Sequence, residues 1–280
     1  MELTLQGSVI RTKNIDWSLQ FNIAHNKDEI LSLPKSKIGV LGGYSADWKW
    51  YKEGGSIHNY MLPEYAGVDE KGQALYWVDA DMVNSTGASD TNRPAKNHSY
   101  TTTDPNSASR YEQGSSLPDV FGGFGTTLSL YGVDVSLTFD YQIGGQVYDA
   151  RYMGLMSNLT GAAGGSAIHE DALKAWTPNN TQSDIPRMQY MDQFSAARSN
   201  RFLTSASYLN FQSFTVGYTL PKRWLGSLGV EKLRIYASGE NLCFWSARKG
   251  LDPRYSFDEN ETVNVYSPVR TVMGGIQLTF

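Results

Sequence analysis

The chain has one cysteine, Cys243, in 280 residues, which excludes an internal disulfide and any cysteine-rich metal site. It has no surplus of basic residues. Its 24 Lys and Arg stand against 28 Asp and Glu, a formal charge of −4, so the electrostatic footprint of a nucleic-acid binder is missing. Charged residues make up only 19% of the chain and aromatics a full 12%, a balance that excludes a disordered polymer. No run approaches the ~18 uncharged apolar residues of a membrane-spanning helix, and Met1-Glu2-Leu3-Thr4-Leu5-Gln6 does not read as a secretory signal.

Catalytic signatures are also lacking. His25, His58, His98 and His169 are scattered, with no His-x-x-x-His spacing and no cysteine partner. Gly122-Gly123-Phe124-Gly125-Thr126-Thr127 leads into a strand pattern, where no helix N-terminus can cradle a phosphate. No Gly-x-Ser-x-Gly elbow occurs. The chain is therefore expected to be no enzyme, with no catalytic residue, cofactor or metal.

What the sequence does hold is alternation, the mark of a strand with one apolar and one polar face. Ile15, Trp17, Leu19, Phe21 and Ile23 alternate with Asp16, Ser18, Gln20 and Asn22. Val135, Leu137, Phe139, Tyr141 and Ile143 alternate with Ser136, Thr138, Asp140 and Gln142. Val272, Gly274, Ile276, Leu278 and Phe280 do so at the C-terminus. Weaker versions run over 3–9, 124–130, 214–220 and 233–239, with a phase break between Phe211 and Phe214 that predicts a bulge. That makes about seven strands, longer than the ~5 to 6 residues usual in globular sheets and near the ~9 to 11 of a tilted membrane strand.

The connections alternate as well. Tight or medium turns at 11–13, 132–133 and 221–231 are interleaved with long segments at about 26–119, about 148–205 and a third before Tyr266. Short connections on one side of a sheet and long ones on the other are the pattern of outer-membrane barrels, with short periplasmic turns and long extracellular loops. The polar strand face, rich in Ser, Thr, Gln, Asn, Asp and Gly, would suit a water-filled lumen. Trp17, Tyr131, Tyr141, Tyr218, Trp224, Trp245 and Phe280 lie near strand ends, as interfacial girdles or as ordinary cross-strand packing. On this basis Trp17, Leu19, Phe21, Leu137, Phe139, Ile276 and Leu278 are expected to face lipid.

Several segments then resemble a known family. Ser207 to Trp224 reads Ser-Tyr-Leu-Asn-Phe-Gln-Ser-Phe-Thr-Val-Gly-Tyr-Thr-Leu-Pro-Lys-Arg-Trp, and it is followed by the segments Leu233 to Leu242 and Lys249 to Pro253 and by a last strand closing on Phe280. This succession and spacing resemble the C-terminal end of SusC/RagA-type TonB-dependent outer-membrane transporters. Tyr65 to Asp69 with Gly72 and Tyr76, Leu117-Pro118 before Gly122-Gly123-Phe124, and Trp176 to Asn179 agree with it. The resemblance implies an all-β fold, an antiparallel up-and-down transmembrane β-barrel segment supplying about 7 strands of a 22-stranded barrel. Residues 1–280 would be the C-terminal portion, without the plug domain and signal peptide of the family. It further implies the outer membrane of a Gram-negative bacterium, a SusD-like surface lipoprotein partner, a TonB complex acting through the missing N-terminal region, and import of oligosaccharides or peptides. Phe280 resembles the C-terminal aromatic by which such barrels are recognised for insertion.

In the long loops, Trp48, Trp50, Tyr51 and Trp77 are candidates to stack on a ligand or to meet the partner, the alternative being that they pack a folded loop. Asp79 and Asp81 before Asn84, and Asp258, Glu259 and Glu261, lack the spacing of a calcium loop and are expected to be solvated charges. A competing assignment is a secreted β-rich carbohydrate-binding module. It would put Leu19, Phe139 and Ile276 in a shared core, whereas a barrel points them outward.

Overall fold

The computed structural model describes all residues but 39–41, 158–166, 191, 193, 227–228 and 256–267. Strands β1 (Glu2–Arg11) and β2 (Ile15–Ala24) form a hairpin. The long connection after it contains the single-turn helix α1 (Lys35–Ile38) and the short strands β3 (Gly43–Ala46), β4 (Lys49–Lys52), β5 (Asn59–Pro63), β6 (Tyr65–Val68), β7 (Ala74–Val78), β8 (Tyr100–Thr102) and β9 (Arg110–Ser115). A second hairpin follows, β10 (Val120–Leu130) and β11 (Val133–Ile143). The next connection carries β12 (Gln146–Tyr148), helix α2 (Ala150–Met156) and β13 (Leu203–Ser205). Then come β14 (Tyr208–Thr219), the helical turn α3 (Lys222–Leu225), β15 (Lys232–Ser246) and β16 (Thr271–Thr279).

The seven long strands pair antiparallel in the order β1-β2-β10-β11-β14-β15-β16, and each contains one of the seven alternating segments. Neighbours in sequence order are neighbours in space, so the sheet is an up-and-down meander. Among the described residues it does not close: β1 and β16 are its edges. The hairpin turn between β10 and β11 is Tyr131-Gly132, one residue earlier than expected. Both residues have positive φ, 48° and 90°, the geometry whose twist matches that of the flanking strands. The bulge between Phe211 and Phe214 is present. Phe211 faces Phe139 and Ser213 faces Thr138, which leaves Gln212 unpaired. Three residues apart, the two phenylalanines would otherwise lie on opposite faces; the extra residue puts both on the apolar side, ring centroids 6.5 Å apart.

The loops are not irregular. The first connection folds into a four-stranded sheet, β3-β4-β5-β9, and a three-stranded one, β6-β7-β8; the second adds the pair β12-β13. These carry the core. Trp48, Tyr60, Leu62, Tyr148, Met156, Ala172 and Phe202 form its largest cluster, drawn from both connections. Every buried apolar side chain among the described residues lies outside the seven wall strands. Among the described residues the wall is thus a single layer, its apolar side chains covered by no second sheet.

Candidate functional site

Two surfaces and a loop layer make up the site. On the apolar face, the register aligns rows across the sheet: Leu19, Thr126, Leu137 and Phe214 in one, Phe21, Phe124, Phe139 and Phe211 in the next. Phe139 stacks on Phe124 at 4.9 Å and on Phe211 at 4.6 Å between ring centroids. The expected outward residues Trp17, Leu19, Phe21, Leu137, Phe139, Ile276 and Leu278 all fall on this one face. Among the described residues no second sheet covers it. Ile276 remains 67% and Val272 66% exposed, so the described residues place these side chains in no shared core of the kind a soluble module requires.

Aromatics mark both borders of that face. Trp245, beside Leu209, and Tyr141 stand at the loop end; Tyr218, beside Ile235, stands at the turn end with Tyr131 and Trp224. On β15 the two borders are ten residue steps apart, from Ile235 to Trp245. Two of those steps are taken up by the irregularity at 240–243, and the same rows lie eight steps apart on the regular strand β11, from Val133 to Tyr141; at about 3.3 Å per residue and a tilt near 40° this spans roughly 20 Å, close to the ~25 Å apolar band of an outer-membrane barrel. Phe280 is exposed just beyond β16.

The polar face is held by charge pairs. Arg234 donates from Nε to Asp134 Oδ1 at 2.9 Å and from Nη2 to Oδ2, and Gly217 lies under this pair. A Cβ there would sit 2.6 Å from Arg234 Nε and 2.7 Å from Asp134 Oδ1, so any larger residue would have to displace the charged ends of this pair. Nearer the loops, Asn210, 2% exposed, donates to Asp140 at 2.7 Å. Arg254, paired with Asp252, lies over the Phe244 ring at 4.7 Å. The Lys249 to Pro253 segment is thereby folded against the polar side of β14 and β15, with Leu251 buried and Ser246 Oγ donating to its carbonyl. Arg248 reaches Asp149 at 2.7 Å and lies 3.4 Å above the Tyr152 ring, which joins this segment to α2.

The four loop aromatics are not brought together on an open surface. Trp48 and Trp50 are buried, Trp48 edge-on to Tyr148 at 4.7 Å. Neither ring offers a free face for stacking, because the loops have enough neighbouring structure to absorb them. Tyr51 is half-buried against Tyr44, and half-buried Trp77 lies against His98 and the cluster of Met82, Ala95 and Tyr111. Asp79 is not a solvated charge. It is 3% exposed and accepts the backbone N–H groups of Asp81, Lys96 and Asn97; burial pushes its pKa up, and those donors hold it below the usual carboxylate range. Sequence periodicity carries no signal for such a cap. Burial raises Tyr65 to about 12. Among the described residues no cluster of His, Cys, Asp or Glu could hold a metal; Asp258, Glu259 and Glu261 lie outside them.

No family model matches the chain. Curated relatives do. It is 27% identical over 294 residues to TonB-dependent receptor P3 of Formosa agariphila, covering 100% of this chain and 28% of that protein. It is 24% identical over 284 residues to TonB-dependent receptor SusC of Bacteroides thetaiotaomicron, covering 100% of this chain and 26% of SusC. The structure of the RagAB peptide transporter superposes on the whole chain with a TM-score of 0.72 at 24% identity, covering 29% of the matched RagAB chain; that likeness is one of fold. The chain is similar to TonB-dependent receptors of the SusC type. It spans little more than a quarter of the length of the relatives it matches, and its seven-stranded sheet lies within the stretch whose fold the RagAB structure shares.

Proposed function

We propose that this SusC/RagA-type chain is the C-terminal part of the barrel wall of an outer-membrane importer, with the folded loops outside the cell and the tight turns in the periplasm. The reading rests above all on the uncovered apolar face bordered by aromatics at bilayer spacing. Trp17, Leu19, Phe21, Leu137, Phe139, Ile276 and Leu278 then face lipid, and Phe280 serves the insertion machinery. Neither open edge of the sheet would be tolerated in a bilayer, so β1 and β16 meet further strands of a larger barrel. The role is transport, not catalysis. A SusD-like lipoprotein would close over the loop layer, a TonB complex would supply the energy, and oligosaccharides or peptides would be the cargo; the resemblance to SusC and to the RagAB fold supports these assignments.

The test is topological. With Cys243 replaced by Ser, single cysteines at Ser56 in the loops and at Lys13 in a turn are labelled with a membrane-impermeant maleimide on intact cells. Labelling at position 56 and protection at position 13 is the expected result. The reverse, or equal labelling of both, would sink the orientation. Uptake of labelled oligosaccharides and peptides by cells with and without the intact gene then separates the two cargo classes.

A further inference from the structure

Just beyond the aromatic border at the turn end of the wall lies a row of cations. The three turns are neighbours along the sheet and are hydrogen-bonded in series: the Tyr131 N–H donates to the Asn14 carbonyl at 3.0 Å, and the Thr219 N–H to the Gly132 carbonyl at 2.8 Å. Lys13 lies exposed in the first turn. The third carries Lys222 and Arg223 on α3, followed by Trp224, 55% exposed, and Leu225, 2% exposed. The buried leucine pins the helical turn and the two cations stay in solvent, the Arg223 guanidinium 5.9 Å from the Trp224 ring centroid. Among the described residues none of the three cations is paired with a carboxylate. Arg11, by contrast, faces Asp16 at 3.7 Å on the polar side of the wall, and Lys232 shares that side with Arg234. With Glu231, three cations stand against one carboxylate on this border, a net of +2 in a chain whose total is −4.

The first and third turns are four strand spacings apart in the sheet order, about 19 Å at ~4.8 Å per spacing. No single small anion bridges Lys13 to Lys222 and Arg223 over that distance, whereas an extended negative surface meets all three. Tryptophan and tyrosine rings settle at the headgroup level of a bilayer, and flexible basic stems beside them carry their charge to the phosphates. We propose that the turn-end border of the wall is a docking surface for anionic phospholipid headgroups, with Lys222 and Arg223 beside Trp224 as one contact and Lys13 as a second. The proposal rests on the wall assignment above and adds to it a lipid preference confined to one border.

The test uses the intact protein in phosphatidylcholine vesicles that contain, at equal mole fraction, either phosphatidylglycerol or phosphatidylcholine brominated near the headgroup. The quenching lost in Trp224→Phe reports the lipids at the turn border, and that lost in Trp245→Phe those at the loop border. At low salt the Trp224 signal is expected to favour phosphatidylglycerol about fivefold or more, the factor that one basic side chain near an anionic surface supplies. Added salt should erode that preference, and the double substitution Lys222→Gln with Arg223→Gln should abolish it. Arg223→Lys should keep it, because a surface responds to charge and not to the guanidinium fork. Equal quenching by the two lipids at Trp224, the same preference at Trp245, a preference that survives the double substitution, or its displacement by free glycerol phosphate, as at a discrete phosphate site, overturns the proposal. Quenching at both tryptophans without preference removes this inference and leaves the wall standing; quenching at neither brings down the wall assignment as well.

Discussion

Phe202→Ala should open the loop layer and leave the wall intact. The Phe202 ring is 0% exposed and lies edge-on to Tyr148 and Tyr152 at 6.3 and 6.1 Å between centroids. Truncating a fully buried phenylalanine costs about 3–5 kcal/mol, part of it the cavity left behind. The wall strands contribute no side chain to this core, so the loss falls on the loops. If loop opening is fast relative to cleavage, their open population, and with it the rate of tryptic cutting at exposed Lys174, rises by roughly two to three and a half powers of ten. Phe139→Ala is the comparison: its ring also touches two others, but it is only half-buried on a face that lipid can fill, and cleavage at Lys174 should stay near the wild-type rate. Limited proteolysis in detergent micelles, read by mass, measures both. Cutting of Phe202→Ala at the wild-type rate, or loop and wall lost together in one transition, would refute the separation of a loop core from a coreless wall.

Other outcomes follow from the same structure. Gly217→Val should force apart the Asp134–Arg234 pair, since even its first carbon falls within 2.7 Å of both partners, and lower the temperature at which the folded wall is lost; an unchanged melting curve by circular dichroism would show that the pair can move aside. Asp79→Asn should destabilise the first loop by about 1–3 kcal/mol, because a charged acceptor of three backbone N–H groups is weakened in place. Because the folded pKa of Asp79 lies below its ordinary value, its contribution is complete above the unfolded value of about 4 and is lost as pH falls through the folded one. Hydrogen exchange at Lys96 and Asn97 should therefore accelerate in acid, and an acid-independent rate would contradict this. In vesicles of lipid brominated near the headgroup, Trp224→Phe and Trp245→Phe should each reduce the quenched fraction of tryptophan fluorescence, whereas Trp48→Phe should leave the quenched signal unchanged.

Alternation by itself determined the wall: seven strands, their apolar faces and the inequality of their connections all follow from a period of two, because a pleated strand must send neighbouring side chains to opposite sides. Even the bulge at Gln212 was legible, as two phenylalanines out of phase. The loops were not. Their strands are mostly three to five residues long, too short for periodicity to register, and whether Trp48 would be exposed or buried depended on partners such as Tyr148 and Phe202, about 100 and more positions away in the chain. The same holds for Asp79, whose donors at Lys96 and Asn97 come from the far side of a loop. Local pattern fixes which way a strand faces; only the closing of the chain on itself decides which distant groups share the desolvated space between strands.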